Sequence, residues 1–464
     1  MKEAYIAVDF GGGSGRVIAA SLSRNSLTLD ELHRFENRQI NMGGHIYWDF
    51  LSLFEEMKTG LRKGVEKGYK LLSVGIDTWG VDFGLIDRHG NLLGNPVCYR
   101  DPSLQGGLQR YFETEDPDAH YAQSGIQQMD INSLYRLVDM RKSAPELLEV
   151  AAHLLFMPDL FSYFLTGVAC NEYTIASTSE LIDVKTRSWN RELIARVGLP
   201  EHLFGRIVMP GEVRGKLTDD IKQEIGIDYD VNVIAVGSHD TASAVHSVCG
   251  TYESDGTVFL SSGTWSLLGA VISNPVLTPQ ARLAGFTNEG ATGGKIRFLQ
   301  NITGLWILQR LMALWKAAGM RTDYDYLLSE AEKSDYSEVI DVDDQVFTTA
   351  REMEKTIRNY CRSHNLPEPE TQGDIVKCVL LSLATRYKRG VEDLGSMLGR
   401  KVERIQVIGG GSRNKLLNRL TSQLTGVPVE AGAVEATAIG NVMLQAQAAG
   451  QCVTMAEINE IVCI

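Results

Sequence analysis

At 464 residues the chain is too long for one hydrophobic core and reads as two large domains. With 44% hydrophobic and 22% charged residues it has the composition of an ordinary soluble globular enzyme. The formal net charge of -13 weighs against nucleic acid and anionic membrane as partners, and no apolar run reaches the ~18 residues of a membrane-spanning helix.

The first predicted elements are three strands in a meander over 4–35. Ala4 to Val8 runs into the turn Asp9-Phe10-Gly11-Gly12-Gly13-Ser14-Gly15-Arg16 and resumes at Val17. No signal-peptide core precedes them, so a cytoplasmic location is expected. A helix with apolar Phe54, Met57, Leu61 and Val65 follows, then a buried strand Leu71–Ile76 leading into Asp77-Thr78-Trp79-Gly80. Residues 101–205 read as mostly helical, with one helix closed by Thr166-Gly167. A strand over 231–236 ends in Gly237-Ser238-His239-Asp240-Thr241, and the domain boundary is expected just beyond, giving domains 1–244 and 245–464.

The second half repeats the order. A hairpin over 257–272 turns at Ser261-Ser262-Gly263-Thr264-Trp265. Long helices are predicted over 343–363 and 373–397. A strand Arg404–Ile408 meets Gly409-Gly410-Gly411, followed by a helix through Leu417, Leu420 and Leu424 and a strand at Val427–Val429. A small-residue helix opens at Glu435-Ala436-Thr437. The seven cysteines show no metal-like spacing, and the expected compartment favours free thiols, although Cys361 and Cys378 flank a loop and could face each other.

Turns built from Gly and hydroxyl residues let backbone N–H groups approach an anion. Two of them, one per half, suggest a duplicated fold that clamps a polyphosphate. Asp9 stands at a strand end where a carboxylate can hold hydrated Mg2+, and Arg16 can meet phosphate oxygens. The glycine triplet 409–411 fits either a sharp turn with close helix packing or a bare floor for a flat ring such as adenine. Asp240 fits either a helix cap or a base for deprotonating an alcohol. Trp79 is either core or, with Gly80, a sugar platform.

The segments AVDFGGGSGRV (7–17), GIDTWGVDF (75–83), MPDLFSYFLTG (157–167), SHDTASAV (238–245), SSGTWSL (261–267), TNEG (287–290), NITGLWILQR (301–310), VIGGGSRNKLLN (407–418) and VEATAIGN (434–441) resemble, in order, those of the FGGY carbohydrate kinases. The resemblance implies an α/β fold of two actin-like (ribonuclease H-like) domains, each a mixed sheet flanked by helices, with the active site in the cleft. It implies ATP and Mg2+ as cofactors, a small ketose as substrate, and a monomer or homodimer. The implied reaction is phosphorylation of L-rhamnulose at C1. Another ketose such as fuculose or xylulose, an actin/Hsp70-like ATPase and an inactive sugar-binding protein are the rival readings. Carried over by position, Asp240 is the general base. Gly12, Gly13, Ser14, Gly15, Arg16, Thr264, Gln309 and Gly410 line ATP. Gly80, His239, Asp240, Thr241 and Asn301 contact the ketose. The first turn departs from the pattern at Gly13, where relatives often carry Ala or Ser; hydroxyl contact there is lost, backbone contact is not.

Overall fold

The computed structural model describes residues 2–23, 26–248, 250–348, 350–451, 454–458 and 460–464. The chain forms two compact units. The first comprises Met1–Cys249, Ser273–Arg297 and Ala436–Ile464; the second comprises Gly250–Ile272 and Phe298–Glu435. This partition is discontinuous, unlike the single expected cut after residue 244, because two later segments return to the first unit.

The first unit is built on a seven-stranded mixed sheet. Its central strands are β1 (Lys2–Phe10), β2 (Ser14–Ser23), β3 (Ser26–Glu36) and β4 (Tyr69–Thr78). β1 runs antiparallel to β2 and parallel to β4, and Asn232–Ile234 continues the sheet parallel to β4. Strands β1 and β4 are covered on both faces, which is why their sequences are apolar runs rather than alternating ones. The helix Phe50–Glu66 turns Phe50, Leu53, Met57 and Leu61 inward, while Phe54 and Val65 sit at the margin of the core. Its Gly60 lies where a Cβ would stand 2.3 Å from Val17, so glycine sets the helix-to-sheet distance.

The helix Ala436–Ala448 belongs to this unit because its polar side chains are tied into the sheet. Asn441 Nδ2 donates to Gly75 O at 3.2 Å, and Gln445 Nε2 to Ile6 O at 2.9 Å. Its Gly440 meets the helix Asp240–His246 so closely that a Cβ would lie 1.8 Å from Ser243 O.

Between these elements, 101–205 is less helical than expected. The segment Ala151–Phe156 is a strand antiparallel to Phe83–Asp87, consistent with its lack of a helical period. The helix Met157–Thr166 does end at Gly167, whose φ of 73° is the left-handed cap conformation.

The second unit carries strands in the order Ile296–Thr303, Trp265–Ile272, Thr257–Ser262, Arg404–Ile408 and Val429–Ala431, the first two residues of Ile296–Thr303 lying in the first unit. The helix Gln372–Leu398 has a Thr371–Asp374 capping box and ends at Gly399. The expected helix over 343–363 is instead two pieces, Gln345–Thr348 and Met353–Ser363. Asp343 is held out of it by Thr303 N at 2.9 Å and Arg386 Nε at 2.6 Å.

Cys361 and Cys378 do face each other, as buried thiols in hydrogen-bond contact, without a disulfide. Cys98 and Cys170 are likewise buried free thiols; Cys249 and Cys452 lie outside the described residues. No helix among the described residues is long and apolar enough to cross a membrane.

Candidate active site

Strand register brings the first unit's acidic residues together. Asp9 faces Arg16 across the β1–β2 hairpin and Asp77 across the parallel β1–β4 pair. Arg16 Nη2 pairs with Asp9 Oδ2 at 2.5 Å. Thr78 N donates to Ser238 O at 2.9 Å, and Thr78 bridges to His239, so Asp240 follows at the next strand end.

Asp77 is fully buried; one oxygen accepts from Asn441 Nδ2 at 2.6 Å and the other has no hydrogen-bond partner among the described residues. Burial, then the neighbouring Asp9 and Asp240 charges, push its carboxyl well above the usual range, against the pull of Asn441 and Arg16. Sequence reasoning missed Asp77. Its signal was an acid closing an apolar strand, as Asp9 does.

The segment carrying Asp240 is held by buried polar groups. Ser238 N donates to Glu172 Oε2 and His239 N to Thr174 Oγ1, both at 3.2 Å. Arg214 Nη2 donates to Ser238 Oγ at 3.0 Å, and Arg214 pairs with Asp159 at 2.5 Å. Burial pushes Glu172 up to about 7, opposed chiefly by hydrogen bonds from Thr174. Burial likewise pushes Asp159 up to about 6 despite Arg214.

His239, not Asp240, occupies the cap position of the short helix Asp240–His246, so the cap reading of Asp240 falls away. The Asp240 side chain is 30% exposed, and its Oδ1 accepts from Thr241 N at 2.5 Å and Thr241 Oγ1 at 3.0 Å. A partly exposed carboxylate with one oxygen anchored is placed to accept a proton from an alcohol.

Trp79 is a core residue. It is buried, lies 4.1 Å from the Trp48 ring and donates to Asp82 Oδ2 at 2.9 Å, so it offers no platform. Gly80 sits in polar surroundings: a Cβ there would stand 3.3 Å from Thr178 Oγ1 and 3.5 Å from His239 Nε2. Beside it Val81 has a φ of 66°, unusual for a β-branched residue. Thr178 Oγ1 and Ser133 Oγ hold its N–H and C=O, at 3.1 and 2.5 Å, so the strain is fixed by buried partners.

Two residues to which the sequence reading gave no role complete this group. Glu289 and Arg297 are both buried, and each reaches His239 Nδ1. The signal for Glu289 was its place in the quoted segment 287–290, and for Arg297 a basic residue inside the apolar start of Ile296–Thr303.

In the second unit the turn after Thr257–Ser262 is pinned to the helix Trp306–Ala317. Gly304 N donates to Thr264 O at 3.2 Å and Leu305 N to Gly263 O at 2.9 Å. A Cβ on Gly304 would lie 2.5 Å from the Trp265 backbone, so only glycine allows this approach. Thr264 Oγ1 donates to Gln309 Oε1 at 3.1 Å. Asn301, the remaining ketose-side candidate, lies on Ile296–Thr303 in this unit.

The glycine triplet divides its labour. Gly409 has a φ of 79°, and a Cβ on Gly411 would fall 2.0 Å from Ser262 Oγ; both are explained by turn shape and packing. At Gly410 nothing lies within 4 Å of the Cβ position. That space is free for a ligand. Among the first-turn residues Gly15 is likewise a packing glycine, 2.3 Å from Phe35 at its Cβ position, whereas Gly13 has nothing within 4 Å and Gly12 meets only Tyr99 OH, at 3.2 Å.

Mg2+ takes one or two carboxylates and completes its shell with water and phosphate oxygens. The Asp9 carboxylate, with the unpartnered oxygen of Asp77 on the adjacent strand end, fits such an ion.

Residues 4–247 match the N-terminal domain of the FGGY family of carbohydrate kinases, and residues 258–449 match its C-terminal domain. The chain is 43% identical over 463 residues to a rhamnulokinase of Bacteroides thetaiotaomicron, covering 100% of this chain and 94% of that protein. It is 37% identical over 462 residues to a rhamnulokinase of Oceanobacillus iheyensis, covering 100% and 97%. Among solved structures it resembles the xylulose kinase of Rhodospirillum rubrum, with a TM-score of 0.80 at 15% identity, covering 98% of this chain and 91% of that one. It also resembles the Plasmodium falciparum glycerol kinase with ADP, with a TM-score of 0.79 at 14% identity, covering 98% and 92%. With both domains matched in order along a fold of this class, the chain belongs to the FGGY family of carbohydrate kinases and is a sugar kinase.

Proposed function

We propose that this sugar kinase transfers the γ-phosphoryl group of ATP to the C1 hydroxyl of L-rhamnulose, giving L-rhamnulose 1-phosphate and ADP in L-rhamnose breakdown. The supporting relatives, alike over their full length, carry the name rhamnulokinase. The observation that carries the chemistry is Asp240: anchored through Oδ1 by Thr241, partly exposed, and beside His239, whose ring in turn lies against Gly80.

In this reading Gly80, His239, Asp240, Thr241 and Asn301 hold the ketose. Asp240 accepts the proton of the C1 hydroxyl as that oxygen bonds to phosphorus and the bond to ADP breaks. Gly12 to Arg16 and Thr264 bind phosphate oxygens through backbone N–H groups and the Arg16 guanidinium. Gln309 orients Thr264, and Gly410 leaves room for the adenine ring. Asp9 would hold a hydrated Mg2+, which would offset charge on the phosphates.

The test is ADP release with Mg2+-ATP and a ketose panel. L-rhamnulose is expected to give the highest kcat/KM, because polar readers discriminate hydroxyl stereochemistry more strongly than an apolar wall discriminates a methyl group. A tenfold preference for L-fuculose or D-xylulose would overturn the substrate assignment and leave a kinase of another ketose. Sugar-independent ATP turnover would indicate a nucleotide switch.

A further inference from the structure

The His239 imidazole is nearly buried between three charged groups of the first unit. On its Nδ1 side lie Arg297 Nη2 at 3.0 Å and Glu289 Oε2 at 3.2 Å. On its Nε2 side lies Asp240 Oδ1 at 3.5 Å, and the Cβ position of Gly80 is at the same distance. The Arg297 side chain is fully buried, donates through Nε to Gly290 O at 2.9 Å and pairs with Glu289 at 3.0 Å, so it cannot swing away.

A neutral imidazole carries one N–H, and its position is set by its neighbours. Glu289 would draw the proton to Nδ1; Arg297 would expel it, because a guanidinium only donates. Alignment decides between them. Arg297 Nη2 makes a hydrogen bond to Nδ1 at 3.0 Å, whereas Glu289 Oε2, though close to both groups, makes none with either. Glu289 therefore acts as the counter-charge that lets a guanidinium be buried here.

We infer that Arg297 is a positioning residue that fixes His239 as the neutral Nε2–H tautomer, so that His239 presents an N–H donor beside Asp240. Its use rests on the proposed function: an Nε2–H donor reads an oxygen lone pair of the ketose and leaves Asp240 as the group that takes the proton. An Nδ1–H tautomer would instead present a lone pair beside a carboxylate and would compete for the same hydroxyl proton.

The experiment is nitrogen NMR of the full-length enzyme with 15N-labelled histidine, the His239 signals being assigned by their loss in His239→Gln. Wild type is expected to show the Nε2–H pattern at His239. Arg297→Met should move it to Nδ1–H, facing Glu289, and Arg297→Lys should keep Nε2–H. Glu289→Gln, which leaves the Arg297 donor in place, should also keep Nε2–H and serves if Arg297→Met does not fold. An Nδ1–H wild-type signal, or an unchanged tautomer in folded Arg297→Met, would overturn the inference. Kinetics separate it from the reading it rests on. Arg297→Met should raise the ketose KM roughly tenfold or more, as for a misdirected buried donor, with ATP KM nearly unchanged and partial recovery in Arg297→Lys. A shifted tautomer with an unchanged ketose KM would uphold the role of Arg297 and refute the ketose contact of His239.

Discussion

The two hairpin turns have the same backbone plan and opposite chemistry. In the first unit Asp9 and Arg16 face each other across the hairpin as an ion pair, and Asp77 stands beside Asp9 on the next strand. In the second unit the corresponding rungs are Ser261 opposite Leu267 and Ser262 opposite Ser266, and the turn is fixed by backbone bonds to Gly304 and Leu305. A small-residue turn at the end of an apolar strand is a backbone solution for approaching an anion, and it can be used twice. Charge cannot be duplicated so freely, because each buried carboxylate needs its own partner or proton. The charged chemistry is therefore concentrated in one unit, and the other offers neutral, shape-defined surfaces such as Gly410.

The comparison can be tested first where the largest effect is expected. Asp240→Asn removes the proposed base and should lower kcat by about 10² to 10⁴ with ATP binding preserved. Steady-state kinetics with ATP titration check this; near wild-type turnover in a folded variant would remove Asp240 from the mechanism.

The charged unit should also carry a pH signature. Glu172 is fully buried and held at about 7, above its ordinary value of 4.5. A raised carboxyl binds its proton more tightly when folded, so its stabilising effect is present below pH 4.5 and is lost as pH rises through about 7. The loss is on the order of 3 kcal/mol. Glu172→Gln mimics the protonated form. The melting temperature of this variant relative to wild type should rise by several degrees between pH 5 and pH 8. A pH-independent difference would refute the assignment.

A more direct contrast pairs the two turns. Arg16→Met removes a cation and should lower kcat/KM for ATP by roughly 10- to 100-fold, whereas Thr264→Val removes one hydroxyl and should change it by less than about tenfold. Equal losses would mean that the turns share the charge work after all.

The smallest effects are expected within the glycine triplet, where two neighbours should fail differently. Gly410→Val fills open space and should raise ATP KM about tenfold with little change in melting temperature or ketose KM. Gly411→Ala forces a Cβ onto Ser262 and should destabilise by about 1–3 kcal/mol, read as a lowered melting temperature, with substrate KM values retained in the folded fraction. Equal behaviour would assign both glycines to packing.

Much of this architecture is local and so was legible along the chain. Apolar runs ending in Gly and hydroxyl residues specify the two hairpins, and Thr166-Gly167 and the Arg404–Ile408 run are strong local stop and strand signals. Family motifs pointed to His239-Asp240 and the Gly-rich turns. Other features depend on residues far apart in sequence. Ala151–Phe156 became a strand only because Phe83–Asp87 gave it a partner. The helix Ala436–Ala448 joined the first unit because Asn441 and Gln445 found backbone groups of β4 and β1 to satisfy and Gly440 let it pack on Asp240–His246. Gly410 and Gly411 are identical letters, separated by whether Ser262 stands opposite. The roles of Asp77, Glu289 and Arg297 were invisible for the same reason: a buried charge takes its meaning from its neighbours, and strand register, not sequence proximity, decides which neighbours it has.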